Sequence, residues 1–445
     1  MQQQLTLQIF HRKHWHDVGT LSFDDSDSKS EKTFEYTNEY ALAHMDENAK
    51  TAIGCFYPVE LMRFYRSTTW FGFIDDLLPA GANRRWWLNH LNLNSLPSYQ
   101  QNVALLQHAI IAPVGNIRIK ECVQDVHELV KEVKFSQQDV TSRNTDFLEY
   151  AQVMGAASGG ATGAGGEAPK LLLCQNKNDE VWIDTLQESK VESCTHYLVK
   201  FPRGNRTQID KDILRAEYHY YQELHDLGVD TIPIEQMKLL EDNEIPSLWL
   251  PRFDVIQTNG ERDWLGMESI YSLLNRPAGS YLRHQEVFQI LVSVTNVTSK
   301  EELEQLTVEY LKRDLLNIAF GNSDNHGRNM AVLKSDTTIQ LAPVYDFAPM
   351  KMDPEGVTRS TTWGQPFEIG GEYQWKNIIN TMGTGGELKV DLEKVFSSLC
   401  FFAEKLIGLK QRLHDRGVPE SILNAPNIGF DYLDEKLARW GLIDG

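Results

Sequence analysis

Gly321-Asn322-Ser323-Asp324-Asn325-His326-Gly327-Arg328-Asn329 follows directly on a stretch with helical periodicity. In that stretch Leu303, Leu306, Tyr310, Leu311, Leu315 and Ile318 recur at the spacing of one buried helix face, and Ser299 with Glu302 has the form of a capping box. The spacing predicts a helix over 299–319 that ends where the loop begins. A lone Asp or Asn in a turn is ordinary turn chemistry, because its side chain bonds the nearby backbone. A single turn has no need of an Asp, a His and an Asn together. Asn329 comes five residues after Asp324, and seventeen further on stands Asp346 in Val344-Tyr345-Asp346-Phe347-Ala348. One carboxylate and one amide oxygen are ligands that suit Mg²⁺, which otherwise keeps waters and phosphate oxygens. Phosphoryl transfer needs charge neutralisation and positioning more than covalent help, and these residue types supply both.

Upstream, further pieces of such a site occur in order. The stretch SLWLPRFD at 247–254 reads as an apolar strand that breaks at Pro251. HYLVKFP at 196–202 reads as a strand carrying Lys200. Between them Ile209, Ile213, Leu214, Tyr218, Tyr221, Leu224 and Leu227 mark a helix over 209–227, stopped by Gly228. Glu217 lies on its apolar stripe, where a carboxylate needs a cationic partner, and Lys200 is the natural candidate; the bland alternative leaves Glu217 in water at the edge of the stripe. GAASGGATGAGG at 155–166 runs into the strand-turn-strand pattern that opens at Pro169-Lys170. Glycines without a Cβ let backbone N–H groups approach phosphates, although such a stretch is also what a plain flexible linker looks like. No G-K-[ST] follows, so this is not a Walker A loop.

At the N-terminal end, Leu5, Leu7 and Ile9 alternate as in a half-buried strand, with VGTLSF at 18–23 as its partner and GNIRIK at 115–120 as another strand. WFGFIDDLLPAG at 70–81 is an apolar segment closed by Pro79 and Gly81. Residues 121–150 are polar and read as a connector, and FSSLCFFAEKLIGLKQRL at 396–413 reads as one amphipathic helix.

The bulk properties exclude other classes. The chain has 445 residues and a formal charge of −19, which repels phosphate backbones and argues against direct nucleic-acid binding. No apolar run is long enough to span a bilayer and no signal core stands at the N-terminus, so no membrane role and a cytoplasmic location are expected. Five cysteines, widely spaced and without a C-x-x-C pair, fit reduced thiols. HRKHWH at 11–16 is the one histidine cluster, but no cysteine or Glu-x-x-His partner follows it, so it is not expected to hold a metal.

The Asp324–Asn329 interval is that of a protein-kinase catalytic loop, and Tyr345-Asp346-Phe347 resembles the D-F-G segment. The parts also follow in kinase order: glycine loop, strand Lys, helix Glu, connecting strand, Asp…Asn, Asp-Phe. His414-Asp415-Arg416 is a decoy, lying downstream of Asp346. Over nearly its whole length the chain resembles the HipA-type toxin kinases. GAGGEAPKLLL resembles their glycine loop, HYLVKFP the strand with the ATP lysine, LWLPRFD the interlobe hinge, GNSDNHGRN the catalytic loop and VYDF the metal segment.

That resemblance implies an α+β, bilobal protein-kinase-like fold with an added N-terminal β-rich subdomain. The expected parts are a subdomain over 1–120, a connector over 121–150, an N-lobe-like part over 151–255 and a mostly helical C-lobe over 256–445. It implies ATP and Mg²⁺ as cofactors and transfer of phosphate to a protein Ser or Thr, with a translation-related enzyme as one class of substrate and a DNA-binding antitoxin as partner. Asp324 would take the hydroxyl proton. Gly165, Gly166, Lys170, Lys200, Pro251, Arg252, Phe253, His326, Asn329, Tyr345 and Asp346 would line the nucleotide, with Asn329 and Asp346 on the metal and Glu217 paired to Lys200. The family's regulatory serine aligns with Gly163, which leaves Thr162 and Ser158 as autophosphorylation candidates. Two rival readings stand beside this one: a nucleotide-binding pseudokinase that recruits an antitoxin, and a small-molecule kinase sharing the D-x-x-x-x-N logic.

Overall fold

The computed structural model describes residues 2–444 apart from 46, 48, 111–112, 125–132, 152–169, 186, 188–192, 204–205, 259–260, 383 and 386–387. The chain divides into two compact units. The first comprises Met1–Arg203, Glu235–Ala278 and Ala331–Ala342; the second comprises Gly204–Ile234, Gly279–Met330 and Pro343–Gly445.

Two antiparallel sheets dominate the first unit. In one, β1 (Gln2–His11), β2 (His14–Asp24), β3 (Lys32–Tyr36), β4 (Phe64–Ser67) and β5 (Ile117–Ile119) pair in the order β4-β3-β2-β1-β5. The alternation of Leu5, Leu7 and Ile9 does place all three inside, where they meet Val18, Leu21 and Phe34. Each such side chain contributes roughly 1.5–3 kcal/mol by leaving water. The apolar stretch at 70–81 closes over this core as the short helix Gly72–Leu77. A Cβ on Gly72 would lie 2.4 Å from the Ser272 carbonyl oxygen, so the close approach requires glycine.

The other sheet holds β6 (Phe135–Ser136), β7 (Lys170–Asn176), β8 (Glu180–Trp182), β9 (Cys194–Lys200), β10 (Lys238–Asp242) and β11 (Ile245–Pro251), in the order β10-β11-β9-β7-β8-β6. The turn between β7 and β8 forms because Asn176 Oδ1 accepts the amides of Asn178 and Glu180. Leu173, Val181, Tyr197, Val199 and Trp249 make the core beneath the sheet. Residues read as a connector supply β6 and the capped helix Gln137–Ser142 to this unit.

The second unit is mostly helical. Gln208–Asp226 starts at a capping box of Thr207 and Asp210, and Lys300–Ala319 at the expected box of Ser299 and Glu302. On the first helix Tyr220 and Tyr221 are buried while Tyr218 is only half-buried, so the inward face is turned slightly from the stripe read in the sequence. Glu217 lies inside and not in water, 3% exposed. The amphipathic stretch at 396–413 is two helices and not one. Leu392–Glu404 ends, and Leu409–Arg416 begins after Gly408 at φ +71°, a left-handed turn that an α-helix cannot pass through. Among the described residues no helix is long and apolar enough to cross a membrane.

Candidate functional site

In the second unit the loop after Lys300–Ala319 is held by its own side chains. Gly321 turns the chain at φ +70°, with its Cα face against Ile428, where a Cβ would meet Cγ1 at 2.8 Å. Asn322 donates to Asn317 Oδ1 at 3.0 Å and accepts the Asp324 amide at 3.2 Å. Asn329 Nδ2 donates to the Asp324 carbonyl at 2.6 Å. That commits the nitrogen of the Asn329 amide and leaves its Oδ1 as the group to meet a cation. His326 Nδ1 accepts the Arg328 amide at 3.2 Å, so a neutral ring carries its proton on Nε2, which lies 3.5 Å from Asp324 Oδ1. Half-buried, Asp324 and His326 have side chains 17% and 15% exposed.

Tyr345 ties the loop to the second acidic segment. Its hydroxyl donates to the Arg328 carbonyl at 2.6 Å. The next residue, Asp346, has φ +53°, a left-handed conformation that costs a non-glycine residue free energy and turns the carboxylate out of the extended chain direction. Phe347 then donates its amide to the Tyr221 hydroxyl at 3.1 Å, and Tyr221 donates to Glu217 Oε1 at 3.2 Å. Burial first, then the charges of Glu217 and Asp346, pushes the Tyr221 phenol far above its ordinary pKa, so it stays a donor. One hydrogen-bond chain therefore links Glu217 on its helix to the Asp346 segment. Its middle member, Tyr221, reads in the sequence only as part of the apolar stripe, but it stands one helical turn from Glu217, where side chains meet.

A further prop was missed in the sequence. Asn325 donates to the Thr361 carbonyl at 2.8 Å and accepts the Ser360 amide at 3.2 Å. The adjacent Arg359 pairs with Asp314 at 2.7 Å, and Trp363 donates to the same carboxylate at 2.7 Å. Burial alone would raise the Asp314 pKa, but Arg359, His284 and these hydrogen bonds hold it well below the usual carboxylate range.

The first unit places Lys170 and Lys200 directly opposite each other across β7 and β9, so both side chains leave the same face of the sheet. Lys200 is 4% exposed. At the end of β11, the Arg252 side chain is committed to a bidentate pair with Asp254, at 2.9 and 2.6 Å, and Asp254 also accepts the Gly115 amide. The Arg252 amide donates to the His196 carbonyl at 2.9 Å. The Arg252 guanidinium and N–H are thus both committed within the first unit. Gly165, Gly166, Thr162 and Ser158 lie outside the described residues.

This α+β architecture, with an acidic loop and a second acidic segment after a long helix, defines a class that comparison identifies. The profile of the HipA-like C-terminal domain matches residues 162–403, more than half of the sequence. The chain belongs to that family. A solved structure of HipA from Shewanella oneidensis MR-1, in complex with HipB and its operator DNA, is similar with a TM-score of 0.61 at 16% identity, covering 98% of this chain and 96% of that one. The proinflammatory kinase CtkA of Helicobacter pylori matches 63% of this chain and 89% of its own at 14% identity, with a TM-score of 0.35. No curated protein matches the sequence. The fold is thus α+β and of HipA type.

Proposed function

We propose that the chain is an ATP-dependent Ser/Thr protein kinase that uses Mg²⁺ and phosphorylates a protein hydroxyl. One observation carries this reading: Tyr345 fastens the Asp324–Asn329 loop to the segment that bears Asp346. A proton acceptor, an amide oxygen and a second carboxylate are thereby held in one unit, as positional catalysis of phosphoryl transfer requires. Asp324 orients the substrate hydroxyl and takes its proton. Asn329 Oδ1 and the Asp346 carboxylate fit Mg²⁺, an ion that prefers oxygen ligands and would supply neutralisation of phosphate charge when bound. Lys200 and Lys170 hold phosphate oxygens from one face of the sheet. Gly165 and Gly166 cover the phosphates, and the backbone around Pro251, Arg252 and Phe253 takes the adenine. Self-phosphorylation at Thr162 or Ser158 belongs to the same reading, since roughly −1.5 to −2 added charges would compete with ATP.

A DNA-binding antitoxin is the partner this reading favours, because the similar Shewanella HipA was solved with HipB and operator DNA. The −19 charge of this chain assigns the DNA contact to such a partner. The test is phosphate transfer from Mg·ATP to proteins of a bacterial lysate, wild type against Asp324→Asn. Labelled substrate with the wild type alone is expected. Equal labelling by the variant, or none by either, overturns the proposal.

A further inference from the structure

His11 ends β1 inside the first unit, 4% exposed, and among the described residues neither of its ring nitrogens has a hydrogen-bond partner. A buried imidazole in that state loses the stabilisation that pairing provides, and each such polar atom calls for an explanation. Three groups from other segments surround it. His44 closes the helix Asn38–His44 and is 7% exposed. Glu47 follows three residues later, with Oε2 at 2.8 Å from His44 Nδ1 and 3.9 Å from His11 Nε2. Asp336 Oδ1 lies 3.6 Å from His11 Nδ1, on the other edge of the ring. The ligand atoms of His11, His44 and Glu47 all lie within 4.8 Å of one another.

We propose that His11, His44 and Glu47 form a binding site for a divalent transition-metal ion, best matched by Zn²⁺, with Asp336 as the outer carboxylate that orients His11. Two imidazoles and one carboxylate are a nitrogen-and-oxygen set of borderline softness, which suits zinc and neither the all-oxygen taste of Mg²⁺ nor the sulfur taste of Cu⁺. The two edges of the His11 ring divide the work. Nε2 faces Glu47 and takes the ion, while Nδ1–H faces Asp336, the carboxylate–histidine–metal arrangement that fixes ring and tautomer. On binding, the ion takes the place between His44 Nδ1 and Glu47 Oε2, and the neutral His44 ring keeps its one proton on Nε2. Glu47 is 38% and Asp336 64% exposed, so the ion has a path inward.

Lys50 and Arg12 lie close enough to oppose a cation. Lys50 is held by Asp263 at 2.5 Å and lies 3.9 Å from Asp336, and Arg12 pairs with Glu47 Oε1 at 3.3 Å, which leaves Glu47 Oε2 facing the two imidazoles. The sequence hides this site because only His11 of the HRKHWH cluster takes part, and its partners come at 44 and 47. The buried trio Cys174, Cys194 and His196 is the rival cluster. There His196 Nε2 already accepts from Arg262 at 2.9 Å, so the ring is committed to a guanidinium.

The test uses the full, tag-free chain and Zn²⁺ alone, read by metal analysis after dialysis and by calorimetry, and is independent of any kinase activity. One zinc per chain is expected, with a higher melting temperature in its presence. Glu47→Gln, at an exposed position that leaves packing alone, and His44→Gln should weaken binding by about 100-fold or more, and Asp336→Asn by about 10- to 100-fold. Cobalt in place of zinc should give ligand-field absorption without a thiolate charge-transfer band, and Cys174→Ser with Cys194→Ser should leave binding unchanged. A wild type that retains no zinc, variants that retain as much as wild type, or loss of zinc in the cysteine variant would each overturn the proposal.

Discussion

The two units arrive at their candidate site residues by opposite routes. In the second, Asp324, Asn329 and Asp346 come from a short run of chain and are fixed by local bonds: Asn329 to the Asp324 carbonyl, Tyr345 to the Arg328 carbonyl. In the first, Lys170 and Lys200 are thirty residues apart and meet only through the register of β7 on β9, while the strand leading to Pro251 lies on the far side of β9. A site made by one loop can be tuned residue by residue. A site made by strand register moves as a block, because a slip of one residue turns every side chain to the other face. Both units secure their parts with the same device, a buried arginine–aspartate pair: Arg252 with Asp254 in the first and Arg359 with Asp314 in the second.

If the second unit holds the reacting groups and the first holds phosphate, variants should separate chemistry from binding. Asp324→Asn should lower phosphate transfer by about 1000-fold or more, equivalent to roughly 4 kcal/mol in the barrier, with ATP affinity nearly unchanged. Single-turnover transfer and calorimetry read the two quantities, and an equal loss in both would erase the division. Lys200→Ala should weaken ATP binding by roughly 10- to 100-fold, since a hydrogen bond to a charged group contributes roughly 1.5–3 kcal/mol. An unchanged dissociation constant would move the phosphate role to Lys170.

The shared arginine–aspartate device can be tested by acid. Burial favours the neutral acid at Asp254, but Arg252 and the Gly115 amide outweigh it and lower the pKa; at Asp314, Arg359 and His284 do the same. A carboxylate whose folded pKa is depressed stabilises fully above its unfolded pKa, roughly 3.9, and that contribution is lost as pH falls below it. The urea midpoint should therefore fall steeply below about pH 4. Hydrogen exchange read by mass spectrometry should show both units loosening in that interval. Loosening in one unit alone would show that its pair, and not the other, limits acid stability.

The smallest effect is expected at the link through Tyr221. Tyr221→Phe removes the hydroxyl between Phe347 and Glu217 and should cost about 1–2 kcal/mol, because both buried partners lose a hydrogen bond. Denaturant melts measure this. A variant as stable as wild type would mean that the hydrogen-bond chain from Glu217 to the Asp346 segment does not stabilise the second unit.

The sequence by itself determined the pieces whose signals are local. The helix over Lys300–Ala319 with its Ser299–Glu302 cap, the alternation of Leu5, Leu7 and Ile9, the β7–β8 hairpin and the loop from Asp324 to Asn329 all follow from side-chain periodicity and turn chemistry within a few residues. Tertiary structure alone decided what depends on residues meeting from afar. It committed Arg252 to Asp254, since that pairing and the Gly115 bond need burial to form. It broke the 396–413 helix at Gly408, where periodicity continues but the backbone turns left-handed. It also gathered His11, His44, Glu47 and Asp336, which chain spacing alone could not announce, because such a cluster is defined by distances in space and the chain passes that point three times, at 11, at 44–47 and at 336.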